Sequence, residues 1–121
     1  FETLEYQLGL FDGLPERMQE ALLLQSLGDA DLTEAAVAAV VKSWASGDLK
    51  TLDALLLQGM MRDHPDLYRA LILDRNRAWL PKIESYLTQN ENYLVVVGAA
   101  HLAGKDGLIE MLKTKGYAIE Q

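Results

Sequence analysis

The sequence predicts a mixed α+β or α/β fold, with a mostly helical segment over about residues 1–90 and a strand–helix–strand unit over about 92–121. Three observations carry that prediction. Apolar residues recur at three- and four-residue spacing through the first part, with stop signals between the runs. "YLVVV" (93–97) then sets three β-branched residues in a row, which lose rotamer freedom in a helix but pack well on a pleated surface. Finally "DGLIEMLKTKG" is a short amphipathic stretch stopped by Gly116, and "YAIEQ" reads as a second strand. Two parallel strands are too few to be stable with both faces covered. The sheet is therefore expected to be completed by a region N-terminal to this chain or by a second copy, with self-association through the exposed edge of "YLVVV".

The elements follow in order. Glu2 to Phe11 places Leu4, Leu8 and Phe11 at helical spacing before "DGLP" breaks the run. Pro15 opens a second helix, where a proline in the first turn loses no hydrogen bond, and Gly28 ends it. Asp31 or Thr33 caps a third helix beginning at Glu34. Gly47 and Asp48 stop one helix and cap the next, which carries Leu49, Leu52, Leu55 and Leu56 on one face and closes at Gly59. A long helix is expected from about Pro65 towards Thr88, kinked or split at Pro81.

Composition narrows the function classes. The chain has 121 residues, half of them hydrophobic and 24% charged, as expected for one globular domain with a real core. Eleven Lys and Arg against eighteen Asp and Glu give a formal charge of −7, which argues against nucleic-acid binding. The absence of cysteine excludes disulfides and thiolate metal sites. No apolar run is long enough to span a bilayer. The chain starts at Phe1 without a signal-like segment, which is compatible with removal of an initiating segment.

Candidate chemistry sits at three places. His101, in "VVVGAAHLAG", follows the end of the first expected strand, where ligands of open α/β sheets bind. Gly98, Ala99 and Ala100 before it leave room for a close approach. A histidine there suits a metal ligand or a base near neutral pH, or else a corner residue tied to a nearby carbonyl. Arg75 lies four residues from both Leu71 and Trp79, and Asn76 likewise between Ile72 and Leu80, so both interrupt the apolar stripe of their helix. An arginine so placed wants a carboxylate or an anionic ligand, unless the helix turns it to water. Glu2, Glu5 and Gln7 form a polar face read first as solvated. His64 belongs to a surface or capping loop, and "GKDG" (104–107) is a turn that could seat an anion.

"FETLEYQLGLFDGLP", "LILDRNRAWLPKIESYL" and "YLVVVGAAHLAGKDGLIEMLKTKGYAIEQ" together resemble the later half of the TraB/GumN family, which includes the Tiki proteins. The shared pattern is Glu-Thr with a following Gln and a Leu-Pro break, then Arg-Asn with a nearby Trp, then Gly-x-x-His-Leu-x-Gly, a Gly-Leu helix and Gly-Tyr. The resemblance implies that residues 1–121 are the C-terminal portion of such a domain, whose earlier half carries more strands and a first Gly-x-x-His motif. Tiki members are metal-dependent peptidases. By that resemblance His101 and Glu2 would be ligands of a divalent metal ion, with Glu2, Arg75, Asn76 and His101 as the catalytic group. A peptide or protein substrate and an exported or periplasmic setting are implied in the same way. Without the first motif, this chain is expected to be inactive as it stands. The alternative is a non-catalytic binding or regulatory module in which a polar network around His101 is structural.

Overall fold

In the computed structural model, which describes residues 2–29 and 34–120, the backbone forms a succession of helices. They are α1 (Leu4–Asp12), α2 (Glu16–Asp29), α3 (Glu34–Ala45), α4 (Leu49–Leu56), α5 (Gln58–Asp63), α6 (Pro65–Tyr68), α7 (Asp74–Leu87) and α8 (Leu108–Thr114). A π-helical turn, Arg69–Leu73, joins α6 to α7, and a single 3₁₀ turn, Ala99–His101, precedes α8.

The local signals explain most boundaries. Thr3 caps α1 by accepting from the Tyr6 N–H, and Asp48 caps α4 by accepting from the Thr51 N–H. Gly47 takes a positive φ of 69°, as the stop between α3 and α4 requires. The caps expected at Asp31 and Thr33 lie outside the described residues. Gly59 does not close a helix: α4 gives way at Leu57, and Gly59 lies within α5.

Nor does Pro81 break α7, which runs through it from Asp74 to Leu87. Pro81 leaves the Arg77 carbonyl without its usual i+4 donor, but both residues are exposed and water can serve that carbonyl. The irregularity comes earlier, where the Asp74 N–H reaches back five residues to the Arg69 carbonyl. Across that π-helical turn one buried face continues through Tyr68, Ile72, Asn76, Trp79 and Ile83.

The expected strand–helix–strand unit does not form, and the α+β class is corrected to an all-helical fold among the described residues. α8 is present, but the segments on either side of it are unpaired. Residues 94–97 alternate in exposure, with Leu94 89% and Val96 79% exposed, while Val95 and Val97 pack against Trp79, Ile83 and Leu108. That two-residue alternation is what three adjacent valines favour. A strand also needs a neighbour's backbone groups, and no described segment supplies them, so β propensity yields an irregular segment here rather than a ladder. No helix of the described residues is long and apolar enough to cross a membrane.

Among the described residues, two apolar clusters form the core. The larger gathers Leu14, Leu52, Leu57, Leu67, Tyr68, Leu71, Ile72 and Ala103. The smaller one joins Trp79 and Ile83 of α7 to Leu108 of α8. The loop carrying His101 crosses between them, because Ala103 belongs to the first cluster and Leu102 packs on the second.

Candidate functional site

Asn76 sits on the buried face of α7 and is fully enclosed, so its amide needs partners on every side. Its Nδ2 donates to the main-chain carbonyls of His101 at 3.2 Å and Asp106 at 2.8 Å. Both amide hydrogens are thereby used, which leaves Oδ1 to face the Nδ1 of His101 at 2.7 Å. An amide oxygen only accepts, so Nδ1 carries the proton and Nε2 keeps its lone pair.

His101 itself is 6% exposed and packs against Trp79, with ring centroids 4.5 Å apart. Burial pushes its pKa down to about 4, the charge of Arg75 adds to the fall, and Glu2 opposes it. The imidazole is therefore neutral at physiological pH, with one defined tautomer. That is the state a metal ligand or general base requires.

Beside it, Arg75 grips Glu2 from two atoms: Nε donates to Oε1 at 2.9 Å and Nη2 to Oε2 at 2.7 Å. Trp79 Nε1 donates to the same Oε1 at 3.0 Å, and Gln7 Nε2 reaches Oε2 at 3.5 Å. Arg75 Nη1 also donates to the Leu71 carbonyl, and the guanidinium lies 4.9 Å from the Trp79 ring centroid. The Glu2 side chain is only 8% exposed and that of Arg75 16%. Hydrogen bonding from Arg75 holds the Glu2 carboxyl below the usual carboxylate range, burial opposing and the charge of Arg75 assisting. Of the polar face formed by Glu2, Glu5 and Gln7, Glu5 and Gln7 are exposed as expected, whereas Glu2 is withdrawn from water by a partner 73 positions away in sequence.

A cleft of about 620 Å³ opens between Glu2, Arg75 and Trp79 on one side and Val96 to Gly98 on the other, with His101 in its wall. A Cβ on Gly98 would meet only the His101 Cδ2, at an ordinary 3.8 Å, so nothing in the chain demands glycine there. The missing side chain leaves space beside the ring edge that carries Nε2.

The four expected site residues therefore converge, and three more join them that the sequence reading passed over or placed elsewhere. Trp79 belonged to the apolar stripe, yet its indole N–H binds Glu2. Tyr68 was passed over, and Asp106 was part of a turn that could seat an anion. In that turn the Asp106 carboxylate accepts from Tyr68 Oη at 2.9 Å and from the Lys105 ammonium. The signal available for all three was a polar atom on a residue at a core or tight-turn position. His64 joins α5 to α6, its N–H bonding the Met60 carbonyl, as a capping residue would.

A divalent ion was expected on His101 and Glu2, and the donor set bears on its fit. His101 Nε2 is free to ligate. The Glu2 oxygens accept from Arg75, Trp79 and Gln7, so ligation by Glu2 would displace one of those bonds. Among the described residues no group of three or more His, Asp or Glu side chains is placed to hold a metal. The described residues thus offer the His101 Nε2 as a donor atom and form no complete metal site.

A model of the TraB/PrgY/gumN family matches residues 1–121. A metalloprotease TIKI homolog from Amphimedon queenslandica is 33% identical over 78 residues, covering 63% of this chain and 13% of that protein. The chain therefore spans only a small part of that relative's length. No solved structure matches.

Proposed function

The chain belongs to the TraB/PrgY/gumN family, and from that premise we propose that the full-length protein is a metal-dependent hydrolase of peptide-type substrates with His101 at its reacting centre. One observation carries the reading: His101 is buried, neutral and fixed by Asn76 in the tautomer that leaves Nε2 available, and it lines an open cleft. The relative described as a metalloprotease supports the reaction class.

His101 would hold the ion through Nε2, with the remaining ligands supplied from outside the described residues. A bound divalent ion would provide an activated water or a polarised carbonyl. The chain's own residues have separate tasks. Asn76 sets the tautomer. Glu2 anchors Arg75, and the two guanidinium N–H groups with no partner among the described residues stabilise negative charge developing on a substrate oxygen. With a single available ligand among the described residues, this chain alone is expected to be inactive.

The saturation of Glu2 favours one second reading, a binding module whose polar network is structural. Hydrolysis of a fluorogenic peptide library by the full-length protein, with and without added divalent ions, separates the two. We expect metal-dependent cleavage that His101→Ala abolishes in a folded protein. Cleavage unaffected by that substitution, or none under any ion, sinks the hydrolase reading.

A further inference from the structure

We propose that Tyr68 and Asp106 are positioning residues for His101, acting through Asn76: the Tyr68 hydroxyl clasps the Asp106 carboxylate and so fixes the carbonyl that dictates which imidazole nitrogen carries the proton. The inference rests on the reading of His101 as the reacting group, but it can be tested without any turnover.

The Asn76 side chain has two orientations open to it. An amide can lie either way round, and with Oδ1 towards His101 it forces the proton onto Nδ1, whereas the flipped amide would force it onto Nε2. What forbids the flip is the pair of carbonyls on the far side, His101 at 3.2 Å and Asp106 at 2.8 Å, which accept only from the NH₂. The shorter of the two bonds goes to Asp106.

That carbonyl belongs to a turn between Gly104 and Gly107, whose backbone closes on itself through the Gly107 N–H and the Gly104 carbonyl. Gly104 has a φ of 75°, and its neighbour Lys105 is largely exposed. Asp106 is the residue that ties this turn to the helical rod. Its carboxylate accepts from Tyr68 Oη at 2.9 Å, and its carbonyl accepts from Asn76. Tyr68 and Asn76 lie on the same buried face two turns apart, so the rod grips Asp106 twice, once by side chain and once by main chain.

Both partners hold their roles across the physiological range. Burial first, and the Asp106 hydrogen bond second, push the Tyr68 hydroxyl far above its ordinary pKa, so it remains a donor. Burial alone would raise Asp106. Hydrogen bonds from Lys105 and Tyr68 and the nearby positive charges outweigh it and keep the carboxyl below its ordinary value.

The test uses the full-length protein carrying isotope-labelled histidine, stripped of metal with a chelator. Ring-nitrogen NMR spectra report the tautomer, and His101 is assigned as the ring lost in His101→Gln. The unsubstituted protein should show the Nδ1–H form. Tyr68→Phe keeps the ring in the core but removes the clasp, and should raise the Nε2–H fraction several-fold. Asp106→Asn retains an oxygen that accepts from Tyr68 and should keep the original pattern, while Asp106→Ala should lose it.

A folded Tyr68→Phe protein with the unsubstituted pattern overturns the proposal. If Tyr68→Phe fails to fold, the Asp106 pair decides: the proposal stands only if Ala changes the tautomer and Asn does not. An Nε2–H form in the unsubstituted protein overturns it as well. The Tyr68 and Asp106 outcomes leave the hydrolase reading untouched, an Nε2–H form in the unsubstituted protein removes the observation that carries it, and a protein with no activity but the expected tautomer pattern would sink that reading alone.

Discussion

Helices α1–α3 and the rod from α6 to α7 carry apolar residues at similar spacing, yet they end in different states. Among the described residues of α1–α3, Ser43 alone is buried, and Leu8, Leu23, Leu24, Leu27 and Trp44 are each 60% or more exposed. The α6–α7 rod buries Leu67, Tyr68, Leu71, Ile72, Asn76, Trp79 and Ile83 along one face. What separates the two regions is the polar residues set among the apolar ones. Asn76, Arg75 and Tyr68 each bond a partner at least 25 positions away. In α2 the described side-chain hydrogen bonds are local, apart from the exposed Arg17–Asp66 pair to α6 at 2.7 Å. An exposed pair of that kind contributes at most about 1 kcal/mol. Apolar periodicity makes a helix, and interleaved polar groups with distant partners decide where it is held.

The largest effect that sharpens this contrast is a matched pair of truncations. Leu67→Ala should cost about 2–5 kcal/mol, since Leu67 is 1% exposed. Leu24→Ala on α2 should stay within about 0.5 kcal/mol. Urea unfolding of the two variants measures both, and equal losses would dissolve the distinction between the regions.

Next comes the polar centre of the rod. Asn76→Ala leaves the His101 ring and two buried carbonyls without their partner, and should cost about 3 kcal/mol by the same unfolding measurement.

The pH dependence has a defined sign. His101 has its folded pKa lowered from an ordinary 6.5 to about 4, so between those values the unfolded chain binds the extra proton. The stabilisation from keeping His101 neutral is thus fully present above about pH 6.5 and is lost as pH falls towards 4, on the order of 3 kcal/mol in total. Glu2, whose pKa is also lowered, adds a loss in the acid range below the ordinary carboxylate value. In chelated protein, His101→Gln should flatten the stability profile between pH 4 and 6.5. A parallel profile in His101→Gln would mean that the ring is not buried neutral.

The smallest pair of effects differs in sign. Gly104→Ala combines a φ of 75° with a Cβ only 2.3 Å from Asp53 Oδ1, and should cost about 1–3 kcal/mol. Gly9→Ala, inside α1 with nothing within 4 Å of the new Cβ, should stabilise by about 0.4–1 kcal/mol. Thermal melts that moved in the same direction would contradict the difference in packing.

The polar cluster of the candidate site was more legible in the sequence than the fold. Arg75 and Asn76 broke an apolar stripe, and such a breach demands a partner. The structure supplies Glu2 for one and His101 with Asp106 for the other. The identity of those partners was not readable, because they lie 25 to 73 positions away and pairing at that range depends on tertiary packing. Caps at Thr3 and Asp48 act within three residues; spacing announced the Asp48 cap, while Thr3 was passed over. The strands failed for the converse reason. Val95, Val96 and Val97 fix a local preference, but a sheet is a property of two segments, and no described segment answers "YLVVV". Pro81 misled because its lost hydrogen bond falls on the wet side of α7.

Under the proposed function, the His101 Nε2 binds a divalent ion in the full-length protein, and metal content is the decisive readout. Elemental analysis of the natively purified full-length protein, beside its folded His101→Ala variant, should find near-stoichiometric divalent metal in the first and a large loss in the second. Equal metal content in both, or none in either after divalent ions are supplied, would contradict it.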